Sequence, residues 1–194
     1  ELEKFVRNHA TLEDLNLKLR ALKSGAVALE SATGVIEDAP AKATLALAAD
    51  SGIKAQPLFT YLANTLRVGS REVPYSLITA MDIPESKVET FPPIALNDWA
   101  ARDLNARLGD TLTMEYFLWE EPGQLATQTA EFRVDAIVPV STGDTDMSPV
   151  YPGITDAAAL NDWNPPFPIN LRRVRPIDED YWKKYATTPK AFIP

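Results

Sequence analysis

The chain has 194 residues, of which 45% are hydrophobic, and its 27 acidic and 19 basic residues give a formal net charge of −8. This length and composition allow one large or two small globular domains with a real core. The negative charge repels phosphate backbones, so we expect no nucleic-acid partner. Cysteine is absent, which excludes thiol nucleophiles, thiolate metal sites and disulfides.

The N-terminal part of the sequence predicts a hairpin between two helices. Apolar residues at helical spacing predict a short helix within residues 1–11. Alternation over residues 16–22 predicts a strand, and a turn lets residues 26–29 return as its partner. The stretch 35–50 is rich in Ala and Leu and predicts a helix, with Pro40 tolerated in its first turn.

A second, longer hairpin is predicted from residues 53–68 and 72–81, which flank Gly69-Ser70. The prolines that follow, Pro84 among them, indicate a linker at residues 84–93. We expect this linker to separate two subdomains.

Beyond the linker the sequence predicts a small sheet with one helix. Residues 94–96 form a short strand, and Asn97 can cap a helix over residues 98–106. Two longer strands, at 111–119 and 129–140, alternate polar and apolar residues and are expected to pair antiparallel. We expect Trp99 or Leu104 to be buried between this helix and the sheet.

The last part of the chain is rich in Pro and Asp. A short helix is predicted from residue 155 to 163, and Asp178 can cap a final helix that carries Lys183 and Lys184 near its end. The apolar residues 191–194 predict a strand, and no turn residue follows to end it. We therefore expect this extension to be cut before its natural end.

These elements predict an α+β fold with four parts. Residues 1–83 form a first subdomain of hairpins and a helix, and residues 84–93 are the linker. Residues 94–140 form a small antiparallel-sheet subdomain with one packed helix, and residues 141–194 form a Pro-rich extension with a short helix.

No set of side chains in the sequence predicts catalysis. His9 is the one histidine, which is too few for a zinc site and leaves a serine nucleophile without a base, so we interpret it as a surface residue. Gly109 and Gly123 stand singly and form no phosphate-binding loop. We therefore predict a non-enzymatic chain with no catalytic, cofactor or metal site of its own.

Two pairs of carboxylates need an alternative explanation. Asp144 with Asp146 and Asp178 with Asp180 occupy alternate positions, as in calcium loops, but the glycine and terminal glutamate of such a loop are missing. We interpret the first pair as a solvated turn and the second as acids at a helix start.

Tryptophans and arginines leave two binding alternatives open. A sugar cleft would combine paired carboxylates with aromatic side chains, although dispersed tryptophans are more often core or interface anchors. The arginines could contact lipid headgroups or an acidic partner, although salt bridges to acids such as Asp178 are the favoured interpretation. The residues concerned are Trp99, Trp119, Trp163 and Trp182, and Arg172, Arg173 and Arg175.

Residues 94–96 form an apolar strand before a helix with Ala and Arg, Gly109-Asp110 precedes a strand, and residues 132–138 read Phe-Arg-Val-Asp-Ala-Ile-Val. This unit resembles a recurring element of FtsX-like and MacB-like ABC-transporter permeases, in which the last strand carries Phe-x-Val-x-x-Val. The tail is similar to one branch of these permeases with a large extracytoplasmic insertion. The matching segments are 94–104, 107–113, 132–138, 152–156, 162–169, 178–182 and 188–192.

This resemblance implies a periplasmic domain that binds a partner or substrate outside the bacterial inner membrane and couples it mechanically to ATP hydrolysis elsewhere. The implied partners are the rest of the permease with its membrane helices, an envelope protein and, indirectly, a separate ATP-binding subunit or domain. The alternative is an envelope carbohydrate-binding module or glycoside hydrolase that uses Asp and Trp residues. An enzyme of that kind is expected to have a deep cleft with close carboxylates of raised pKa.

Overall fold

A computed structural model describes residues 1–32, 34–82, 91–121, 123–142 and 147–194 of the chain. The chain divides into two compact units, Glu1–Gln56 and Pro57–Pro194. Helices and strands occur in both, so the mixed α and β character is confirmed. Among the described helices, none has the length and apolar composition needed to cross a membrane.

The first unit contains the elements that the sequence predicts. Helix α1 spans Leu2–His9. Strands β1, Leu17–Ala21, and β2, Val27–Ser31, form an antiparallel hairpin. Helix α2 covers Asp38–Asp50, and Pro40 lies in its first turn, where its missing N–H has no helical acceptor to lose.

Six strands of the second unit close into a barrel in the order β3-β4-β8-β5-β7-β6. The pairs β4–β8 and β5–β7 are parallel, whereas the other neighbours run antiparallel. The strands are β3, Phe59–Val68; β4, Arg71–Ala80; β5, Pro93–Asn97; β6, Thr111–Glu120; β7, Gln124–Val138; and β8, Ala191–Ile193.

The barrel corrects the predicted arrangement of the sheet. The two predicted hairpins, β3–β4 and β6–β7, are present, but β3 also pairs with β6. Strand β8 inserts between β4 and β5, so the end of the described chain is part of the wall. A separate small sheet with an appended extension is therefore wrong, because pairings between distant strands close one barrel.

This closure also changes the predicted boundary. The division into compact units falls after Gln56, earlier than the predicted linker at 84–93, because β3 and β4 share the barrel with the later strands. Most of that linker, residues 83–90, lies outside the described residues.

Helix α3, Asp98–Leu104, follows β5 directly and covers the barrel. The side chain of Asn97 accepts a hydrogen bond from the N–H of Ala100 at 2.8 Å, which confirms the predicted cap. Leu104 is buried at 1% exposure, whereas Trp99 is only partly buried. The main core contains Leu104 with apolar side chains of the barrel wall, among them Leu66, Val73, Ile94, Leu96, Leu112 and Val134.

Residues 147–194 pack against the barrel before they enter it. Their apolar side chains form a second core with Tyr75 of β4 and Leu62 of β3. The helix predicted at 155–163 is wrong. In its place there are turns and one short 3-10 segment, Leu160–Asp162.

Helix α4 spans Pro176–Tyr185, and its N-cap residue is Arg175 and not Asp178. The predicted N-cap is therefore wrong by three residues. Asp178 instead accepts from the N–H of Arg175 at 2.9 Å, which satisfies an amide at the helix start from inside the first turn. Lys183 and Lys184 lie in the last turn, as predicted.

A glycine allows a close backbone contact between two loops of the extension. Gly153 has a φ of +76°, and a Cβ at this position would lie 2.3 Å from the carbonyl oxygen of Asn164. The N–H of Asn164 donates to the Gly153 carbonyl at 2.8 Å. Only a residue without a side chain allows this close contact between the two loop ends.

Candidate functional site

The hairpin of β6 and β7 is longer than the barrel wall beside it. Strand β6 pairs with β3 only over Thr113–Glu115, and β5 pairs with β7 only from Arg133 onward. Within the described ranges, residues 116–120 therefore pair only with residues 124–128, and residues 124–131 have no strand partner other than β6. We call this two-stranded projection the β-arm.

Large apolar side chains are exposed near the tip of the β-arm. Trp119 is 69% exposed and faces Leu125 across the strand pair, and Leu118 is 46% exposed and faces Ala126. Neighbouring residues of a strand point to opposite faces, so the tip is apolar on both sides. Exposed apolar surface of this kind is typical of contact sites, and Trp is enriched in the energetically dominant part of protein interfaces.

Aromatic contacts fix the base of the β-arm to the barrel. The hydroxyl of Tyr61 on β3 donates to the main-chain carbonyl of Phe117, and burial raises the pKa of this hydroxyl. The rings of Tyr61 and Tyr116 meet edge to face at 6.2 Å, and Phe117 contacts Phe167 of the extension at 6.3 Å. The arm therefore has a supported base and an exposed tip.

The β-arm is also acidic. Residues 111–132 include Glu115, Glu120, Glu121 and Glu131 and contain no Lys, Arg or His. Clustered charges of one sign favour partners of the opposite sign and speed their encounter. A contact surface on this arm therefore combines an apolar tip with a negative field.

A second concentration of polar groups lies between α3 and α4. The guanidinium of Arg175 donates to Asp103 at 2.5 Å and to Asp178 at 2.7 and 2.8 Å. The hydrogen bonds that Arg175 donates to Asp178 are the main cause of its raised pKa, and Asp103 adds to it. Asp178 is 1% exposed. Because Arg175 at the start of α4 bonds both Asp178 and Asp103 of α3, this network holds α4 against α3.

Lys190 is buried next to this network, at 4% exposure. Its ammonium lies 4.9 Å from the ring centre of Trp99 and 5.0 Å from that of Tyr181. Burial lowers its pKa to about 8, against the opposing charges of Asp178 and Asp103. A buried lysine of lowered pKa can act as a nucleophile or base, provided that a substrate can reach it.

The space around Lys190 is small. The adjoining cavity measures about 10 Å³, and Lys190, Asp178 and Tyr181 contribute to its lining. This volume is close to the minimum for one water molecule. A larger depression of about 400 Å³, lined by residues such as Arg71, Leu104 and Asp110, lies elsewhere on the barrel.

The structure separates the tryptophans that the sequence analysis grouped. Trp163 and Trp182 are buried, with ring centres 5.0 Å apart in the second core, and the ring of Trp99 packs at a tilt of 52° against Tyr181, with ring centres 4.6 Å apart. Only Trp119 is mainly exposed. Trp163 and Trp182 share the lining of the cavity of about 10 Å³ with Asp178, but this space is too small for a sugar. Neighbouring arginines lower the pKa values of the carboxyls of Glu72 and Asp98, so these acids are not of the raised-pKa kind.

Two of the three arginines pair with acids, as predicted from the sequence. Arg175 contacts Asp178 and Asp103, and Arg173 contacts Glu72 at 3.3 Å. Arg172 is exposed, and among the described residues it forms no ion pair with this network. Asp180 is exposed, and no group of three or more potential metal ligands occurs among the described residues.

The remaining predicted positions lie elsewhere. His9 is exposed in the first unit and stacks on Phe5 at 4.1 Å. Gly109 and Gly123 occupy turns with φ of +88° and +102°. Asp144 and Asp146 lie outside the described residues.

Two features were missed in the sequence. The β-arm has a local signal, because alternation continues through Trp119 on one strand, but its projection depends on where β3 and β5 stop pairing. The local sequence gives no indication that Lys190 is buried, since lysine is usually exposed. Its burial depends on β8 entering the barrel.

No protein-family model matches the chain, and no curated protein matches its sequence.

Proposed function

We propose that this chain is an extracytoplasmic domain of an ABC-transporter permease of the FtsX-like and MacB-like kind. In this role it binds a partner protein outside the bacterial inner membrane and couples that contact to ATP hydrolysis by a separate subunit or domain. The observation that carries the binding role is the β-arm, with Trp119 exposed on a base that Tyr61 fixes. The membership rests on the resemblance of residues 94–140 and of the tail.

The β-arm has the physical properties of a binding element. Its tip adds apolar area at the end of a short two-stranded projection, where little ordering is needed on contact. The base is held by the Tyr61 hydrogen bond and by the contact between Phe117 and Phe167. A partner that buries Trp119 therefore contacts a surface that is already positioned.

The barrel has properties that suit mechanical coupling. Strand β8 pairs with β4 on one side and β5 on the other, and Phe192 within it is fully buried. A displacement applied to the chain next to β8 is resisted by both neighbouring strands. The barrel then moves as one body together with its arm, as a lever requires.

Distance measurements in the assembled transporter test this proposal. A spin label at Lys184→Cys is paired with one in a membrane helix of the permease, and the distance distribution is measured without nucleotide and with trapped ATP. The chain has no native cysteine, so these sites are specific once cysteines in the rest of the transporter are removed. We expect the distribution to shift, because ATP changes the domain position only if the two states differ in affinity for it.

A label pair within the barrel unit is the control. Gln124→Cys and Lys184→Cys are both on exposed positions of this unit, and their mutual distance is expected to stay constant. Constant distances in both pairs contradict the lever. A parent protein without membrane helices contradicts the family assignment. Binding of an oligosaccharide to the chain, if the substitution Trp119→Ala abolishes it, favours the carbohydrate alternative.

A further inference from the structure

The outer edge of β7 has backbone amides that point away from β6. The N–H of Val134 donates to Asp110 beside β6, whereas the N–H of Arg133 donates to Pro92 beside β5. The β6–β7 register runs without a shift from Arg133 to the arm tip. Since amides alternate along a strand, those of Thr127, Thr129 and Glu131 face the same side as that of Arg133.

This side of β7 has a backbone partner only near the barrel. Strand β5 pairs from Arg133 onward, and in the part of the chain that the structure describes no strand pairs with that edge from 125 to 131. Unpaired edge amides are a template for a further strand. The opposite edge of the arm is less suitable, because Tyr61 already occupies the carbonyl of Phe117.

We propose that this β7 edge binds an extended segment of a partner protein by strand addition, and that the segment carries Lys or Arg together with apolar residues. The proposal rests on the proposed function, in which this arm is the partner-binding element. Main-chain hydrogen bonds supply affinity in this mode, and alternate side chains supply specificity.

The side chains of the arm define the pattern of the segment. On the face that carries Trp119, Leu125 lies near the tip and Glu131 near the barrel, with Glu115 opposite Thr129. An added strand places every second residue on this same face. The segment therefore has an apolar residue beside Leu125. About four to six positions further along, it has a basic residue beside Thr129 or Glu131.

Charge complementarity makes this occupant the favoured one. The arm between residues 111 and 132 has four glutamates and no basic residue, so two copies pairing edge to edge would bring like charges together. A basic segment gains attraction along the same edge. Salt is expected to weaken its binding, because exposed charges are screened.

A fluorescent synthetic peptide is the probe for this edge. The peptide has about eight residues, with Thr at alternate positions and Lys, Lys, Val and Leu on the other face, a length typical of one strand. We expect the intact chain to bind it in fluorescence anisotropy, and a matched peptide with Glu in place of Lys to bind at least about tenfold more weakly.

Backbone variants separate strand addition from a surface contact. Thr129→Pro removes one outward amide and no hydrogen bond of the β6–β7 ladder, and it is expected to weaken peptide binding about tenfold, whereas Thr129→Val keeps the amide and the affinity. Peptides N-methylated on alternate residues provide a second readout that leaves the protein unchanged. Only one of the two methylation registers is expected to abolish binding.

Three results overturn the inference. These are an absence of binding by the lysine peptide, equal binding of both methylation registers, and a concentration-dependent dimer of the chain that is lost on Thr129→Pro. Failure here leaves the ATP-dependent movement of the Lys184 label unaffected. Conversely, an immobile label with normal peptide binding rejects the mechanical coupling and leaves the edge site in place.

Discussion

The ammonium of Lys190 lies 4.9 Å from the ring centre of Trp99, inside the unit that contains the barrel. Tyr181 flanks it at 5.0 Å, and the hydroxyl of Tyr181 is itself fixed by bonds to Asn97 and Thr188. Rings of this kind attract a cation, but they replace water only in part. The ammonium is therefore held in place while its charged form is disfavoured by burial.

Lys190 is expected to make the stability of the protein rise with pH between about 8 and 10. Its pKa is about 8 in the fold against 10.5 for the free side chain, so the unfolded chain binds more protons in this range. The free energy of unfolding should increase by roughly 2 kcal/mol from pH 7 to 9.5 on account of this group. Denaturant unfolding of Lys190→Met should lack that increase.

Lys183→Met on the exposed side of α4 is the matched control for Lys190→Met. Comparison with the unchanged chain at each pH cancels the contributions of the other titrating groups. Parallel stability curves for the unchanged chain and Lys190→Met would show that Lys190 keeps its ordinary pKa.

Asp178→Asn should destabilise the protein by about 2–3 kcal/mol. Asp178 is buried and accepts three hydrogen bonds from Arg175, and the substitution leaves that guanidinium with Asp103 as its acidic partner. The cost stays below that of a fully buried pair because Arg175 is 37% exposed. Asp180→Asn, two residues later on the exposed face, should change the unfolding free energy by less than about 0.5 kcal/mol. Equal effects of the two substitutions would contradict the network.

Most local elements of this chain could be predicted from the sequence. Alternation identifies the β6–β7 hairpin and the buried face of β7 at Phe132 and Val134, because a half-buried strand needs period-two patterning. The side chain of Asn97 caps α3, as its position before a helix indicates. These predictions depend only on neighbouring residues in the sequence, and the elements that they predict are present in the structure.

Closure of the barrel and the site features could not be predicted in the same way. Strand β8 has only three residues, and it pairs with β4, which lies more than 100 residues earlier. A three-residue apolar stretch carries no information about its partner. Both the burial of Lys190 and the projection of the β-arm follow from such distant pairings, which depend on tertiary packing and not on local propensity.

Leu104→Ala should cost about 2–5 kcal/mol in unfolding free energy. Leu104 ends α3 and is buried in the main core at 1% exposure, so its truncation leaves a cavity under the helix. Leu108→Ala is the same chemical change four residues later at a 64% exposed position, and it should cost less than about 0.5 kcal/mol. Thermal unfolding distinguishes the two variants. An unchanged stability of Leu104→Ala would mean that α3 packs on the barrel with a different face.

Tyr75→Phe should loosen the Pro-rich extension locally. Tyr75 has a φ of +43° within β4, an unfavourable conformation for an aromatic residue, and its hydroxyl accepts from the N–H of Asn170 at 2.5 Å. Without the hydroxyl that amide loses its acceptor, which should cost about 1–3 kcal/mol.

Amide hydrogen exchange of Asn170 is the decisive measurement for Tyr75→Phe, because it reports on this one bond within a larger change of stability. Tyr151→Phe is the matched control. The Tyr151 hydroxyl donates to the carbonyl of Thr60, so its removal leaves the amide of Asn170 paired with Tyr75. We expect Asn170 to exchange faster in Tyr75→Phe and to keep its protection in Tyr151→Phe once global stability is matched with denaturant. Unchanged protection of Asn170 in Tyr75→Phe would mean that this bond does not hold the extension, and that the strained backbone at Tyr75 is kept by its ring contacts with Trp163 and Arg173 alone.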